Sequence, residues 1–501
     1  MTARRFVVAL DQGTTGSTAL VVDPDGAVRG RGYAELPQHF PQPGWVEHDP
    51  AQIWSTTVEA LGPALAAARV TPAEIATIGI TNQRETAILW ERASGRPVGN
   101  AIVWQCRRTA ALCDRLRAEG AEPEIRRKTG LVVDAYFSGT KIRWMLDHEP
   151  ALRPLAERGE LCFGTVDSWL LWQLTGGRVH ATDPSNASRT LCYDIHRRAW
   201  DEGLCRLLGV PMALLPEVKP SAGVFGETVS GAGVPAGVPV AGIAGDQQAA
   251  LFGQACVRPG MAKNTYGTGC FALLNTGERA VASAEGLLTT VAWTVEGVTA
   301  YALEGAVFVA GAAVQWLRDG LKLIATAAET GTIAAHADPA DQVYMVPAFV
   351  GLGAPWWDPE ARAALYGLSR KSGPAEISRA ALEAVGYQTR DLLDAMRADW
   401  PAAKETDTVL RVDGGMTPSD YTMQFLSDIL DVPVDRPMFM ETTALGAAYL
   451  AGRKAGIYPD LDGFAATWKL DRRFTPAMDA ATRERKWRGW QDAVRRTLTA
   501  R

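Results

Sequence analysis

A glycine- and threonine-rich turn between two short apolar strands occurs twice in this 501-residue chain, and the spacing of the copies governs what it can fold into. In the first copy the predicted strands Phe6 to Leu10 and Thr18 to Val22 flank Asp11-Gln-Gly-Thr-Thr-Gly-Ser17, with Asp23-Pro-Asp-Gly26 closing the unit. In the second, Met261 to Thr265 leads through Tyr266-Gly-Thr-Gly269 into Cys270 to Leu274, closed by Thr276-Gly277. Gly13 and Gly267 stand 254 positions apart, so each half of the chain carries one hairpin and a duplicated fold is expected. Both tips offer backbone N–H groups and hydroxyls to whatever lies between them.

Elsewhere apolar strands alternate with helical patterns, the signature of an α/β architecture. Pro239-Val-Ala-Gly-Ile-Ala-Gly-Asp246 reads as a strand ending on an acid, followed by a helix-like Gln247 to Phe252. Val409-Leu-Arg-Val-Asp-Gly-Gly415 makes a third glycine turn, beyond which Met423, Leu426 and Leu430 fall at helical spacing. Ligands of open α/β sheets bind beyond the carboxyl ends of strands, and Asp11 and Asp246 both sit at such ends. The segment Cys256-Val-Arg-Pro-Gly260 separates the Asp246 helix from the second hairpin. It divides the chain into an N-terminal domain, 1–255, and a C-terminal domain, 256–501, with a site in the cleft between them.

Composition narrows the function. Lys and Arg number 51 against 56 Asp and Glu, a near balance without the basic excess of a nucleic-acid or anionic-membrane binder. The apolar run near the N-terminus stops after a few residues, and the longer uncharged stretches are too short or too broken by Pro and Gly to span a membrane. A cytoplasmic protein is therefore expected. Seven cysteines without a Cys-x-x-Cys suit buried thiols in a reducing compartment. No His-Glu-x-x-His, Walker lysine or Gly-x-Ser-x-Gly elbow supports a zinc protease, a P-loop enzyme or a serine hydrolase.

Two facing glycine/threonine hairpins with a carboxylate at a neighbouring strand end suit a triphosphate. Backbone N–H groups and hydroxyls can hold its oxygens, and an Asp can hold Mg²⁺ through water. Phosphoryl transfer further needs a base near the acceptor hydroxyl. Asp11 and Asp246 are the two candidates for these carboxylate roles.

Several runs carry a resemblance. Asp11-Gln-Gly-Thr-Thr-Gly-Ser17, Pro43-Gly-Trp-Val-Glu-His-Asp-Pro50, Gly79-Ile-Thr-Asn-Gln-Arg-Glu-Thr86, Ala101-Ile-Val-Trp-Gln-Cys-Arg-Arg-Thr109 and Tyr136-Phe-Ser-Gly-Thr140 resemble the glycerol kinases of the FGGY carbohydrate kinase family. Ala244-Gly-Asp-Gln-Gln248, Asn264-Thr-Tyr-Gly-Thr-Gly-Cys-Phe271, Leu303-Glu-Gly-Ala-Val-Phe308 and Gly351-Leu-Gly-Ala-Pro355 continue it in the same order, from Phe6 to about Gly452. The resemblance implies two actin-like, ribonuclease-H-like domains with ATP and a polyol meeting in the cleft, and a homo-oligomeric, dimeric or tetrameric assembly.

The resemblance also implies roles. Arg84, Glu85, Tyr136, Asp246 and Gln247 would line a glycerol pocket, flanked by Trp104 and Phe271. Asp246 would be the general base, and Asp11, with Asp246, would face Mg²⁺. Thr14, Thr15, Gly16 and Thr18 of the first hairpin and Thr268 and Gly269 of the second would meet the nucleotide phosphates, while Gly311, Gln315, Gly414, Gly415 and Ser419 would surround its adenosine. The chain departs from the family where Thr18 replaces a usual Arg and Ser419 a usual Asn. The stretch Ser230-Gly-Ala-Gly-Val-Pro-Ala-Gly237 lacks the Arg and the His through which some relatives are controlled by fructose 1,6-bisphosphate or by phosphorylation, so neither control is expected. A kinase for another small polyol or ketose, or an actin-fold ATP sensor that transfers nothing, are the alternatives.

Three further expectations concern structure. Thr442 to Gly452 reads as an N-capped helix whose small residues allow close packing on a sheet. Arg483 to Arg501 reads as a solvated amphipathic helix held by Trp487 and Trp490. Trp356 and Trp357 stand as candidates for the cleft rim.

Overall fold

The computed structural model describes residues 4–402 and 409–499; Met1, Thr2 and Ala3 at the start of the N-terminal run, and Ala500 and Arg501 of the basic tail, lie outside them. Two mixed sheets organise the chain. The first has six strands in the order β5-β6-β4-β1-β2-β3: β1 (Phe6–Gln12), β2 (Gly16–Val22), β3 (Val28–Glu35), β4 (Ile75–Asn82), β5 (Ala222–Glu227) and β6 (Pro239–Gly245). The second has seven in the order β9-β10-β8-β7-β11-β12-β13: β7 (Ala262–Tyr266), β8 (Cys270–Gly277), β9 (Leu288–Val295), β10 (Val298–Val307), β11 (Leu410–Asp413), β12 (Val434–Pro437) and β13 (Leu470–Phe474). In each, three antiparallel strands (β1-β2-β3; β7-β8-β10) continue into two parallel ones (β4-β6; β11-β12). The duplication expected from the two hairpins is thus present in the pairing itself, as the actin-like, two-domain α/β fold requires.

The hairpin tips are tighter than expected. Asp11 and Gln12 belong to β1, opposite Thr18 and Ser17 of β2, and Asp11 also pairs with Thr81 of β4. Neighbours on both sides supply ladder hydrogen bonds at Asp11, so the strand extends past its apolar run. Only Gly13-Thr14-Thr15 is left as the turn, closed by the Gly13 N–H donating to the Gly16 carbonyl at 2.9 Å. The second tip, Gly267-Thr268-Gly269, closes in the same way, the Gly267 N–H donating to the Gly269 carbonyl at 2.9 Å.

Helices cover and join the sheets. Helix α1 (Pro50–Ala68) lies on β2 and β3, with Asp49 capping its start. Helices α2 (Ser138–His148), α3 (Val166–Leu174), α4 (Asp246–Gly253), α5 (Gly311–Asp319), α6 (Pro374–Asp399), α7 (Asp420–Leu430), α8 (Thr442–Lys454) and α9 (Ala480–Thr497) follow. Although α8 comes late in the chain, it packs on β1, β4 and β6 of the first sheet and against α4. A Cβ on Gly446 would strike the Ala249 carbonyl, and one on Gly253 the Thr442 carbonyl, so the two helices cross backbone to backbone. The resulting core mixes both halves: Val7, Ala9, Phe252, Leu273, Trp293, Ala447 and Ala451 are all buried in it.

Two expectations for helix ends change. Thr442 does not cap α8; the position before the helix is Glu441, whose side chain makes no capping bond, and the Thr442 hydroxyl donates to Asp413 at 2.7 Å. The helix also runs past Gly452 to Lys454, because small residues are tolerated mid-helix where they allow contact, here with the Tyr458 ring. Helix α9 starts at Ala480, with Asp479 accepting the Thr482 N–H, and it is anchored by buried Trp487 and Trp490. Trp357 packs between the cores of the two halves and donates to the Gly286 carbonyl at 2.6 Å, while Trp356 stays exposed. All seven cysteines are buried free thiols. Among the described residues no helix is long and apolar enough to cross a membrane.

Forcing a branched side chain into the α4/α8 crossing leaves it nowhere to go. Gly446→Val is expected to destabilise the protein by about 2–3 kcal/mol, read as a lowered denaturant midpoint against wild type.

Candidate active site

Where the sheets face each other, a cavity of about 410 Å³ takes in both hairpin tips. Thr14 and Thr15 enter it from the first tip, and Gly267, Thr268 and Gly269 from the second. Arg84, Glu85, Trp104, Tyr136, Asp246, Gln247, Phe271 and Gln315 complete the arrangement, with Gln38, Gln105 and Thr265 as lining that the sequence did not single out. Beside it opens an apolar vestibule of about 750 Å³, which shares Trp104 and Tyr136 and is edged by Phe40 and Trp45 from one half and Phe308 and Val350 from the other.

Arg84 and Glu85 sit on the turn that leaves β4. The Glu85 backbone has φ +59°, and the Thr86 N–H reaches back to the Arg84 carbonyl at 2.7 Å, so this is a three-residue turn in a conformation that costs a non-glycine residue about 1–3 kcal/mol. Helix α2 holds the strained carbonyl of Glu85. The Ser138 hydroxyl donates to it at 3.0 Å and the Lys141 ammonium at 3.3 Å, Lys141 also donating to the Tyr136 carbonyl. Burial pushes Lys141 down to about 8.

The two side chains are not paired mainly with each other, although they are adjacent in the chain. Arg84 Nη1 and Nη2 donate to the two oxygens of Glu304 at 2.5 and 3.0 Å, while Nε lies 3.0 Å from Asp246 Oδ1. Glu85 accepts from Arg189 Nε at 2.6 Å, and Arg189 Nη2 donates to Glu304 at 2.9 Å. The direct Arg84–Glu85 separation is 3.8 Å. Burial tends to raise the Glu304 carboxyl, but Arg189 and Arg84 outweigh it and hold it below the ordinary carboxylate value. For Glu85 burial wins over Arg84 and Arg189, and its carboxyl is raised.

Asp246 is the first residue of α4, at the carboxyl end of β6. Its Oδ1 accepts the Gln247 backbone N–H at 2.7 Å and faces Arg84, while no donor among the described residues engages Oδ2. The side chain is 29% exposed toward the cavity. Burial raises its carboxyl above the ordinary value against the opposing pull of Arg84. Half-buried Asp11 is raised well above its ordinary value, first by burial and then by repulsion from Asp246. Gln247 accepts from the buried Lys263 ammonium, which also donates to the Thr265 hydroxyl at 2.8 Å and which burial lowers to about 8.

Aromatic edges complete the polar clamp. Trp104 stands edge-on to both Tyr136 and Phe271, with ring centroids 5.7 and 5.9 Å away, and its indole N–H donates to the Thr14 hydroxyl at 2.9 Å. The aromatic wall is thereby tied to the hairpin tip. Tyr136 is buried, and its hydroxyl accepts from Arg84 at 3.3 Å.

The remaining sequence candidates divide. Gly311 begins α5, and its N–H donates to the Gly267 carbonyl at 3.0 Å, bringing Gln315 to the cavity. Gly414, at φ +95°, presses on the Tyr266 backbone, and no group stands within 4 Å of where a Gly415 side chain would be. These three glycines therefore gather around the second hairpin, although they do not line the cavity itself. Gly16 and Thr18 lie in β2 outside it, Thr18 directly across from Asp11. Ser419 caps α7, accepting the Thr422 N–H at 3.3 Å, which gives it a structural use.

Sequence reading passed over Glu304, Arg189, Lys141 and Lys263 as site residues. Glu304 did leave a signal: an acid inside the apolar run Ala300-Tyr-Ala-Leu-Glu-Gly-Ala-Val307 is a buried charge awaiting a cation. Arg189 follows a polar stretch with no periodicity and left none. Removing one partner from a buried ion-pair network strands the others. Arg189→Met is expected to destabilise the protein by about 3–5 kcal/mol, measured by denaturant unfolding.

Comparisons with known proteins identify the family and the fold. The profile of the FGGY family of carbohydrate kinases, N-terminal domain, matches residues 6–253, and that of the C-terminal domain matches residues 262–455. A glycerol kinase of Allorhizobium ampelinum is 61% identical over 495 residues, covering 99% of both chains. One from Methylobacterium nodulans is 60% identical over 491 residues, covering 98% of this chain and 97% of that one. Among solved structures, a Plasmodium falciparum glycerol kinase with ADP superposes with a TM-score of 0.90 at 36% identity, covering 100% of this chain and 99% of that one. With both domain profiles matched across two sheets of duplicated topology, the chain belongs to the FGGY family of carbohydrate kinases.

Proposed function

We propose that this protein transfers the γ-phosphoryl group of ATP to glycerol, forming sn-glycerol 3-phosphate and ADP, and that it works as a cytoplasmic homo-oligomer with domains 1–255 and 256–501. The observation that carries the reading is the single cavity in which two hydroxyl-bearing hairpin tips face a fixed clamp of Arg84, Glu85, Tyr136 and Asp246. The names of the relatives at about 60% identity support glycerol as the acceptor, and the ADP in the Plasmodium falciparum structure supports an adenine nucleotide as the donor.

The acceptor is small and almost wholly polar, so its recognition rests on charged groups in set positions. A buried polar partner left unpaired there costs ~1–3 kcal/mol, which discriminates against analogues that lack a hydroxyl. Arg84, Glu85, Tyr136, Gln247 and Asp246 supply the polar contacts, and Trp104 and Phe271 enclose the carbon edge. Asp246 is oriented for proton transfer because Arg84 and the Gln247 N–H both engage Oδ1, leaving Oδ2 to accept the acceptor hydroxyl proton. As that O–H bond breaks, the hydroxyl oxygen bonds to the γ-phosphorus, the bond to ADP breaks, and ADP leaves with the electron pair. Asp246 then releases its proton to solvent. On the donor side, Thr14, Thr15, Gly16, Thr18, Thr268 and Gly269 are assigned to the phosphates, and Gly311, Gln315, Gly414, Gly415 and Ser419 to the nucleoside.

Asp11 and Asp246 fit Mg²⁺ as its protein side. They are carboxylates close enough that Asp246 raises the proton affinity of Asp11, and no group of three or more acidic, His or Cys residues gathers among the described residues. Mg²⁺ characteristically takes one or two carboxylates and fills its other positions with water and phosphate oxygens. When bound it would neutralise phosphate charge.

An ADP-release assay with Mg²⁺-ATP against glycerol, dihydroxyacetone, erythritol, xylulose and no acceptor tests the reading. Strong release with glycerol is expected; preference for a larger acceptor overturns glycerol, and no acceptor-dependent release overturns the kinase. Asp246→Asn is expected to lower kcat by about 10²- to 10⁴-fold while ATP binding by calorimetry persists. Because the Asp246 carboxyl is raised and must be ionised to act, the acid limb of kcat/KM should lie above the ordinary carboxylate value and disappear in that variant.

A further inference from the structure

Glu304 projects from β10, a strand of the second sheet, yet its carboxylate is spent entirely on two arginines of the first half. In register it stands opposite Leu273 of β8, two residues from Phe271, so Glu304 and Phe271 share one face of that sheet. It is fully buried, as are Arg84 and Arg189. Three charge-assisted N–H bonds converge on it, two from the fork of Arg84 and one from Arg189.

A guanidinium is planar, with five donors in fixed directions. Gripping Nη1 and Nη2 at one end therefore fixes where Nε sits at the other, and Nε of Arg84 sits 3.0 Å from Asp246 Oδ1 as an ion-pair contact. Rotation of the fork on Glu304 would swing Nε away from Asp246 and shift the nitrogen that donates to Tyr136. Arg189, held by the same carboxylate, passes the constraint to Glu85. Glu304 thus sets the directions of four groups of the acceptor clamp without lining the cavity itself.

We propose that Glu304 is a positioning residue for the acceptor. It orients Arg84, and through Arg189 also Glu85, so that acceptor affinity depends on the two halves of the molecule being held at this separation. The inference rests on the assignment of the Arg84–Glu85–Asp246 clamp to the acceptor.

Glu304→Gln keeps the shape and removes the charge. Wild type and variant are compared by steady-state kinetics with glycerol, or with whichever acceptor the wild type prefers in the panel above, so that failure of the glycerol reading shows in the wild type alone. The acceptor KM is expected to rise at least tenfold with the ATP KM within twofold of wild type. A rise confined to the acceptor KM is a change that mere loosening of the fold would not produce. An unchanged acceptor KM with only a lower melting temperature, or an equal rise in both KM values, would overturn the proposal. Should Glu304→Gln fail to fold, Glu304→Asp keeps the charge but withdraws it by one methylene: a selective rise in acceptor KM supports the role, and an unchanged acceptor KM overturns it.

Discussion

Four buried charges at the meeting of the two sheets constrain the rest of the molecule. Arg84 and Arg189 balance Glu85 and Glu304, and none of the four has water to fall back on. Burying such groups costs several kcal/mol each unless partners satisfy them, and the first half cannot close the set alone, since the acid that binds both arginines comes from β10. The halves are thereby held in a relation in which the clamp is complete and Asp246 remains open to the cavity. A strained turn at Glu85 is maintained by the same logic, with Lys141 and Ser138 bound to the carbonyl that the turn pushes outward.

A second constraint is made of backbone instead of charge. Helices α4 and α8 cross so closely that Gly253 and Gly446 admit no side chain, and Thr442 at the start of α8 joins Gln254 just beyond α4 on the carboxylate of Asp413. Because Asp246 opens α4, the crossing fixes the helix whose first residue is the proposed base. Charge network and helix crossing therefore act on the same residue from two directions.

Much of this was legible in the sequence. The hairpins announced themselves through glycine and threonine between apolar strands, and the small residues of α8 foretold a close packing surface. The resemblance brought Arg84, Glu85, Trp104, Tyr136, Asp246, Gln247 and Phe271 to the page, and the cavity collects all of them. What escaped depended on contacts far apart in the chain. Arg84 looks like the partner of adjacent Glu85, but a side chain at a turn is free to point elsewhere, and its carboxylate lies 220 residues away. Asp11 reads from sequence as the first residue of the turn, at the end of its strand, whereas neighbouring strands on both sides draw it into the sheet. Ser419 shows the reverse: the resemblance implies a place beside the adenosine, and in the structure its hydroxyl begins a helix.

The position of α8 also bears on how the protein is made. The face of the first sheet that α8 covers is complete once β6 and α4 have emerged, but α8 ends about 200 residues later, at Lys454. At ~5–20 residues per second, that face waits roughly 10 to 40 seconds for its cover during synthesis. Val7, Ala9, Ala244 and Phe252 lack Ala444, Ala447 and Ala451 of α8 over that interval. The first half therefore does not complete its core as an independent unit, because one face of its sheet is covered by a helix from the second.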